Sequence, residues 1–320
     1  MTNSMYGRHV LVTGAGGFMG SQLVTRLLGL GAKVAALDLM PAPPHLSAIP
    51  GELHWIQANF SDDAVIARLA EDVDVVFHLA CSLLPAHSNV AILRDAKENL
   101  LGTLHLLESL AMSNRSIRFV FASSGGTIYG KPRSIPIPEA FEGVPICSYG
   151  ILKKAIENYL LIFRNQSKLR PVSLRVSNPY GPGQLPRPGH GVVATFLAAA
   201  LNGDPIEIWG DGSVTRDYVF IQDVVDAFVQ VATSDSEVLS LNIGSGIGLS
   251  IIEIAKTIES CIGVELKKSF KNARPFDVPV NVLDVSAAYA LLGWKPKTEL
   301  RDGIVQTYNW LKEKTSNLVP

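Results

Sequence analysis

The feature that most constrains the fold is the N-terminal segment HVLVTGAGGFMGSQLVTRLLGLGAKVAALD. A short apolar run from Val10 to Val12 leads into a cluster of glycines, and leucines then recur at spacings of three and four residues. A second apolar run follows and ends at Asp38. This order of patterns predicts a strand, a tight turn, a helix and a second strand.

The same alternation continues through the first half of the chain. Apolar strands are predicted at 53–58, 73–81, 117–124 and 171–176, and helices at 62–71, 91–112 and 149–164. Strands that are apolar along their whole length, separated by helices, are typical of a parallel sheet covered on both faces. Because such crossovers are right-handed, we expect an α/β fold with a doubly wound, Rossmann-type sheet.

The pattern changes after residue 177. Residues 178–191 are rich in proline and glycine, and a helix (192–202) and a short strand (206–210) follow. We expect residues 217–246 to return to the main sheet. The predicted organisation is therefore a sheet domain of residues 1–177, interleaved with a smaller C-terminal lobe of residues 178–216 and 247–320.

Composition excludes several classes of protein. The 320 residues carry a net charge of −1 with scattered basic residues, whereas a nucleic-acid surface needs clustered Lys and Arg. Cys81, Cys147 and Cys261 form no CxxC pair, so neither a disulfide framework nor a metal site is expected. The longest apolar run, 192–201, is about half of the ~20 residues that a membrane span requires. The N-terminus lacks an apolar signal segment, and the expected location is the cytoplasm.

The glycine cluster predicts a dinucleotide site. Gly14, Gly17 and Gly20 lie between the first strand and the first helix; they suit a tight turn, close approach to a pyrophosphate and close helix–strand packing, respectively. The helix N-terminus offers free N–H groups to phosphate. Asp38 ends the second strand, where a carboxylate binds the ribose hydroxyls and repels a 2′-phosphate, so the predicted cofactor is NAD rather than NADP.

A candidate catalytic pair follows in SYGILKK (148–154). Tyr149 and Lys153 are four residues apart at a predicted helix start, and therefore share a face. A tyrosine needs its pKa lowered by about 3 units to act as a base near neutrality. One positive charge at about 4 Å in an effective dielectric of about 20 supplies roughly that much. Lys153 is that charge, and a nicotinium ring would add a second.

Together these motifs resemble the extended short-chain dehydrogenase/reductase family. The resemblance rests on TGxxGxxG, Asp38, HLA (78–80), ENLLGTLHLLES (98–109), SS…YG, YxxxK and NPYGPG. The segments IEIWGDGSVTRDYVFIQDVVDA and ARPFDVPVNVLDVSAAYALLGWKPKTEL are similar to nucleotide-sugar epimerases of the UDP-glucose 4-epimerase type. The similarity covers almost the whole chain and implies epimerisation at C4 of a UDP-sugar through a 4-keto intermediate.

The resemblance assigns roles to individual residues. Tyr149 would be the base, and Lys153 would bind the nicotinamide ribose and tune the tyrosine. Further residues implied at the cofactor are Phe18, Met19, Asn59, Phe60, Leu79, Ala80, Cys81 and Asn99. The family usually has Asp at the position of Asn59, so this chain departs from the family at the adenine contact.

Other residues are implied at the substrate. Arg216 and Arg274 would bind the diphosphate, because the guanidinium fork matches phosphate oxygens. Asn178 would also face the diphosphate, and Asp277 the uridine ribose. The remaining candidates are Ser82 and His87 beside the sugar, Trp209 beside uracil, Asn281 near C2 of the sugar, and Arg187 or His190 facing a uronic-acid carboxylate.

One family position is changed. Related epimerases place Ser or Thr four residues before the tyrosine of YG, where its hydroxyl binds the sugar's O4; that position is Gly125 here. Ser124 and Thr127 are both candidates to replace the hydroxyl, and a third possibility is that Tyr149 alone contacts O4. Sugar 4,6-dehydratases carry acidic residues just after this position, which this chain lacks, so dehydration is disfavoured.

The sequence leaves two alternative functions open and also predicts that the protein forms an oligomer. The chain could instead be a nucleotide-sugar oxidoreductase or decarboxylase of the same family, or a non-catalytic NAD sensor, although a sensor has no need of the Tyr–Lys pair. In relatives, the helices that correspond to 91–112 and 149–164 form a four-helix bundle between subunits. A homodimer is therefore expected.

Overall fold

The computed structural model describes residues 4–82, 88–186, 191–274 and 278–316. The strands are β1 His9–Thr13, β2 Lys33–Asp38, β3 Glu52–Gln57, β4 Val75–His78, β5 Arg118–Ser124, β6 Arg170–Val176, β7 Asn178–Tyr180, β8 Ile206–Trp209, β9 Thr215–Phe220, β10 Ser240–Ile243, β11 Gly248–Ser250, β12 Lys268–Lys271 and β13 Val280–Asn281. The helices are α1 Phe18–Gly29, α2 Pro44–Ser47, α3 Asp63–Ala70, α4 Ile92–Asp95, α5 Gly102–Met112, α6 Ser148–Gln166, α7 Val192–Asn202, α8 Ile221–Thr233, α9 Ile251–Ile262, α10 Ser286–Leu292 and α11 Leu300–Ser316, and a π-helical turn, Ala96–Leu101, joins α4 to α5.

Seven strands form one parallel sheet in the order β10-β6-β5-β4-β1-β2-β3. Apolar side chains of α1 and α8 cover one face, and those of α3, α5 and α6 cover the other. The predicted doubly wound α/β sheet is therefore confirmed. The chain reverses its direction of travel across the sheet between β1 and β4, and a crevice opens at the carboxyl ends of strands at such a point.

The smaller lobe is built around β9. This strand pairs with β7 and β13 in parallel and with β11 in antiparallel orientation, while β8 and β12 form a separate pair. Residues 217–220 were expected to return to the main sheet, but they lie in the smaller sheet. Strand β10, from the same predicted segment, does lie at the edge of the main sheet. None of the described helices has the length and apolar composition needed to cross a membrane.

Asp217 joins the two sheets. Its side chain is fully buried and accepts hydrogen bonds from the backbone N–H groups of Ser245 (2.7 Å), Gly246 (3.1 Å) and Leu283 (3.3 Å). The hydroxyl of Ser177, which follows β6, also donates to it at 3.3 Å. Burial raises the pKa of Asp217, while these donors oppose the rise. One carboxylate therefore links the ends of β6 and β10 to the smaller lobe.

A buried ion pair fixes α6 to the main sheet. Arg175 on β6 and Glu157 on α6 are joined by an Nη2–Oε2 contact of 2.7 Å, with both side chains under 10% exposed. The hydroxyl of Ser123 donates to the same carboxylate at 2.6 Å. Arg175 Nη1 also donates to the Tyr129 hydroxyl at 2.9 Å, and that hydroxyl donates to Asn242 Oδ1 at 2.7 Å. Because Glu157 lies one turn after Lys153, this network fixes the height of α6 above the sheet.

Replacing Glu157 with glutamine is expected to destabilise the fold by about 3 kcal/mol or more, because it leaves the buried guanidinium without its counter-charge. As a control, Glu237→Ala removes a partner of Arg170 in an exposed pair and should cost no more than about 1 kcal/mol. Urea unfolding followed by circular dichroism measures both. Equal losses in the two variants would contradict the structural role of the buried pair.

Candidate active site

The glycine loop lies directly over the end of β4. Gly14 has φ +69°, and a Cβ atom there would come within 2.7 Å of the backbone nitrogen of Ala80. A Cβ atom at Gly20 would overlap the carbonyl oxygen of Gly14. Both positions therefore require glycine, the first for the turn and for close approach to β4, and the second for packing of α1 on that turn.

Asp38 faces this loop from the end of β2. One carboxylate oxygen accepts from Gly16 N at 2.9 Å, and the other from Met40 N at 3.0 Å. The side chain is partly exposed, so it has capacity for further donors such as ribose hydroxyls.

The first turn of α1 completes the phosphate side of this cradle. Gly17 caps the helix without a side-chain hydrogen bond, and no acidic residue occupies the first turn. The N–H groups at Phe18 and Met19 therefore suit an anion. Together with Asp38, these residues fit a dinucleotide.

Asn59 and Phe60 follow β3 but differ in their surroundings. Asn59 is exposed, and its Oδ1 accepts from the backbone and the hydroxyl of Ser61, both at 3.0 Å. Phe60 turns inward and packs edge-on against His78, with ring centroids 4.9 Å apart. It also lies against Gly102, where a Cβ atom would come within 3.0 Å of the ring. Phe60 therefore supports β4 and α5.

His78 holds the end of β4 in place. Its Nδ1 lies 2.7 Å from the Thr13 hydroxyl and its Nε2 lies 2.9 Å from the Thr103 hydroxyl. Burial, with a smaller contribution from the charge of Lys153, lowers the pKa of His78 to about 3. The Thr13 hydroxyl also accepts from Ala80 N at 3.4 Å. A neutral histidine therefore fixes the path of Leu79, Ala80 and Cys81 beneath the glycine loop.

Tyr149 and Lys153 lie one turn apart at the start of α6 and share a small cavity with Cys81, Asn99 and other residues of β4, β5 and the π-helical turn. The Lys153 ammonium group donates to the carbonyl oxygen of Ala122 at 2.7 Å. It lies 5.4 Å from the ring centroid of Tyr149. The structure therefore brings together the two residues of the YxxxK motif with the candidate cofactor residues Cys81 and Asn99.

Gly150 lets α6 approach the turn that follows β5. A Cβ atom at this position would come within 2.6 Å of the carbonyl oxygen of Thr127. The residue after Tyr149 is therefore in direct contact with the turn after β5, which carries the candidate residue Thr127.

Burial and nearby charges both act on Tyr149 and Lys153. Burial raises the pKa of Tyr149 well above its usual value, and the negative charges of Cys81, Cys147 and Asp95 would raise it further. Burial also lowers the pKa of Lys153, against the opposing effect of these negative groups. Burial therefore opposes ionisation of the phenol, and the lowering of its pKa by Lys153 together with a nicotinium ring stays a prediction.

Asn99 is tied to the chain that follows β4. Its Oδ1 accepts from Ser82 N at 2.9 Å, and its Nδ2 donates to Ser82 Oγ at 3.1 Å. The same amide nitrogen donates to Asp95 Oδ1 at 2.6 Å. Sequence reasoning missed Asp95, although its spacing of four residues from Asn99 was a usable signal, because residues at i and i+4 share a helix face.

The structure explains why Gly125 replaces the usual hydroxyl. A Cβ atom there would come within 2.5 Å of Leu283 Cδ1 and 2.9 Å of the carbonyl oxygen of Arg175, so no side chain fits. Ser124 is partly exposed, and its hydroxyl has no hydrogen bond within the described residues. The hydroxyl of Thr127 is buried and also lacks a partner there.

The candidate substrate residues of the smaller lobe have protein partners. Asn178 Nδ2 donates to the carbonyl oxygen of Asp217 at 2.9 Å, and Arg216 Nη1 donates to that of Val278 at 2.6 Å. The guanidinium of Arg274 stacks over Trp209, 4.1 Å from its ring centroid.

Two further points concern the predicted substrate residues. Asn281 is buried and donates to the carbonyl oxygen of Gly125 at 3.1 Å, so it supports the turn after β5. Asp277, His87, Arg187 and His190 lie outside the described residues.

A Tyr–Lys pair one helical turn apart, in a cavity at the carboxyl ends of β4 and β5, on a doubly wound parallel sheet, is the arrangement expected of an extended short-chain dehydrogenase/reductase. Residues 10–244 match the NAD dependent epimerase/dehydratase family, and the chain belongs to this family. As a member, it uses NAD, which the glycine loop and Asp38 fit.

Relatives cover almost the whole chain. UDP-glucose 4-epimerase of Mycolicibacterium smegmatis is 36% identical over 310 residues, which span 95% of this chain and 99% of the relative. The structure of UDP-glucose 4-epimerase from Thermotoga maritima with UDP-glucose is similar, with a TM-score of 0.90, 33% identity and coverage of 96% of this chain and 99% of that chain. MoeE5 in complex with UDP-glucuronic acid and NAD has a TM-score of 0.87 and 32% identity, with coverage of 96% and 99%.

The buried His78 should make stability depend on pH. An unfolded histidine has a pKa of about 6.5, whereas that of folded His78 is about 3. The unfolded state therefore binds more protons between these values, and stability is lost as pH falls below about 6.5, by up to about 1.4 kcal/mol per pH unit. His78→Gln should lower this slope, and the exposed His54→Gln variant serves as control. The measurement is denaturant unfolding from pH 7 to 5, and identical slopes in both variants would refute the assignment.

Proposed function

We propose that this protein interconverts UDP-sugars that differ in configuration at C4. The observation that carries the proposal is the shared cavity of Tyr149 and Lys153 at the carboxyl ends of β4 and β5, beside the glycine loop. Relatives named as UDP-glucose 4-epimerases over almost the full chain support it.

Bound NAD would supply a hydride acceptor that later returns the hydride, so the residues of this chain have to manage the proton. Tyr149 takes the proton from the sugar's 4-hydroxyl and returns it after inversion. Lys153, held by the carbonyl oxygen of Ala122, supplies positive charge beside the phenol. Because burial raises the pKa of Tyr149, its ionisation depends on the positive charge of the oxidised nicotinamide as well as that of Lys153.

We assign the hydroxyl that binds the sugar's O4 to Ser124 rather than Thr127. The Ser124 side chain is partly exposed and has no protein partner in the described part of the chain, so it is free to donate to substrate. The Thr127 hydroxyl is shielded from solvent, and substrate cannot reach it without movement of the turn.

The smaller lobe would bind the nucleotide half of the substrate. Residues 178–220 and 247–320 are assigned to this lobe, because β9 lies in the smaller sheet, and residues 1–177 with 221–246 are assigned to the NAD-binding domain. In the lobe, Arg216 and Arg274 would bind the diphosphate and Asn178 would face it. The stacking of Arg274 on Trp209 orients the guanidinium and leaves its edge available to phosphate oxygens.

The turnover assay uses UDP-glucose, UDP-N-acetylglucosamine and UDP-glucuronic acid, with products identified by NMR. Tyr149→Phe should lower kcat by about 1000-fold, within the range expected for loss of a general base, while NAD stays bound. Conversion of none of the three sugars by the NAD-loaded wild type, or full activity of Tyr149→Phe, would refute the function.

A second comparison separates the two hydroxyls. Ser124→Ala should lower kcat by about 10- to 100-fold, the usual effect of losing a hydrogen bond to a partly charged group. Thr127→Val, which keeps the shape of the side chain and removes the buried hydroxyl, should change kcat by less than about threefold. The reverse order of effects would assign the hydroxyl to Thr127.

We also propose that the protein is a cytoplasmic homodimer. Exposed apolar side chains lie on both helical segments expected at the interface: Ile92, Leu93, Leu101 and Met112 on the first, and Ile151, Tyr159, Leu161 and Ile162 on the second. Large exposed apolar patches on a protein mark its contact surfaces with other chains. Two copies of the helix pair would bury them in a four-helix bundle.

Sedimentation tests the dimer. The wild type should sediment at twice the chain mass of 34.5 kDa, and Ile162→Glu should shift it toward monomer, because an unpaired carboxylate is costly to bury. Leu291→Glu alters an equally exposed apolar residue on α10 and should leave the dimer intact. A monomeric wild type would exclude the proposal.

A further inference from the structure

Asp95 is a buried carboxylate at the junction of α4 and the π-helical turn. It has no exposed surface and lines the cavity that contains Tyr149 and Lys153. One carboxylate oxygen accepts from Asn99 Nδ2 at 2.6 Å, and the other accepts from the Ser148 hydroxyl at 3.1 Å. Asp95 therefore joins the two segments that carry candidate active-site residues.

The contacts of Asp95 orient both neighbours. A primary amide donates from nitrogen and accepts at oxygen, so the bond to Asp95 turns the Asn99 oxygen toward Ser82 N. On the other side, Ser148 is the residue before Tyr149. Two further hydrogen bonds tether this first turn of α6, from Ser148 N to Asn89 Oδ1 at 2.8 Å and from Tyr149 N to Ser88 Oγ at 3.0 Å.

Among the described residues, Asp95 forms no ion pair within 4.0 Å. Both of its hydrogen bonds come from neutral groups. A buried charge without a counter-ion is costly, and this carboxylate lies in the wall of the cavity that contains Tyr149. The positive group that shares the cavity with it is Lys153.

The other titratable and charged groups around Tyr149 come from several elements. Lys153 and Glu157 lie on α6 itself, His78 ends β4, Cys81 follows β4, and Cys147 precedes α6. His78 is neutral, and Glu157 is paired with Arg175. Two carboxylates therefore lie near Tyr149: Glu157, which is paired with a guanidinium, and Asp95, which is not.

We propose that Asp95 is a positioning residue that holds Asn99 and Ser148 in register with Tyr149, and that its negative charge sets the balance between the phenol of Tyr149 and the ammonium of Lys153. This inference rests on the proposed role of Tyr149 as the proton acceptor. Removal of the Asp95 charge then favours ionisation of Tyr149. Removal of one hydrogen bond to Asp95, with the charge kept, disturbs only the position of Tyr149.

The test measures two properties of the NAD-loaded protein. The first is tyrosinate absorbance against pH, with the Tyr149→Phe protein subtracted so that Tyr149 alone is followed. The second is the pH profile of kcat with an accepted UDP-sugar. Asp95→Asn should move the Tyr149 midpoint and the acidic limb of the profile to lower pH by about one unit or more, the effect of one charge within about 10 Å at an effective dielectric of about 20.

Two variants separate charge from position. Ser148→Ala keeps the charge and loses one hydrogen bond, so it should lower kcat by about tenfold without moving either midpoint. Asp95→Glu restores the charge on a longer side chain, so it should return the tyrosine midpoint toward the wild-type value while kcat stays low. Glu71→Gln, which removes a surface carboxylate after α3, is the control for net charge.

A tyrosine midpoint that does not move in Asp95→Asn, or that moves equally in Glu71→Gln, overturns the proposal. If Asp95→Asn does not fold, the Asp95→Glu and Ser148→Ala proteins decide the case, and a midpoint shifted in Ser148→Ala overturns it. Absence of epimerase activity in the wild type would refute the proposed function, yet the absorbance titration would still decide the effect of Asp95 on Tyr149.

Discussion

The close contact between Gly14 and the backbone of Ala80 is the constraint on which the site depends. It brings the carboxyl ends of β1 and β4 together at the point where the sheet reverses its strand order. The neutral His78, held by threonines on both sides, keeps the chain after β4 in that contact. Asp38, Cys81 and the first turn of α1 then face one crevice. A side chain at position 14 would separate these elements before any chemistry was affected.

The active-site cavity combines this geometry with an unfavourable electrostatic environment. Burial opposes ionisation of Tyr149 and also opposes the charge on Lys153. Both effects oppose the charged forms, so the proposed role of Tyr149 as a base calls for added positive charge, and the negative charge proposed for Asp95 acts in the opposite direction. Under the proposed function, the positive charge of the oxidised nicotinamide would favour loss of that proton, which would couple the proton step to the presence of the hydride acceptor.

Much of the fold followed from local pattern, because the spacing of apolar residues and glycines reports directly on strands, helices and turns. The β1–α1–β2 unit, β3, β5, β6 and α6 were predicted close to their observed bounds, whereas β4 is shorter than the predicted strand 73–81. Residues 217–220 were placed in the wrong sheet, since an apolar strand does not reveal its partner. Asp95, Asp217 and the pair Glu157–Arg175 were also missed. Their importance arises from burial and from partners far along the chain, which one sequence does not display.

The position of β10 has a consequence for how the protein forms during synthesis. This strand completes the edge of the main sheet beside β6, but it is made only after the chain has passed through β7, β8 and β9 of the other lobe. Asp217, in between, needs the amide groups of Ser245 and Leu283 to cover its charge. The edge of β6 therefore stays unpaired until the chain has been made through β10, and a nascent fragment that stops at β6 exposes that edge.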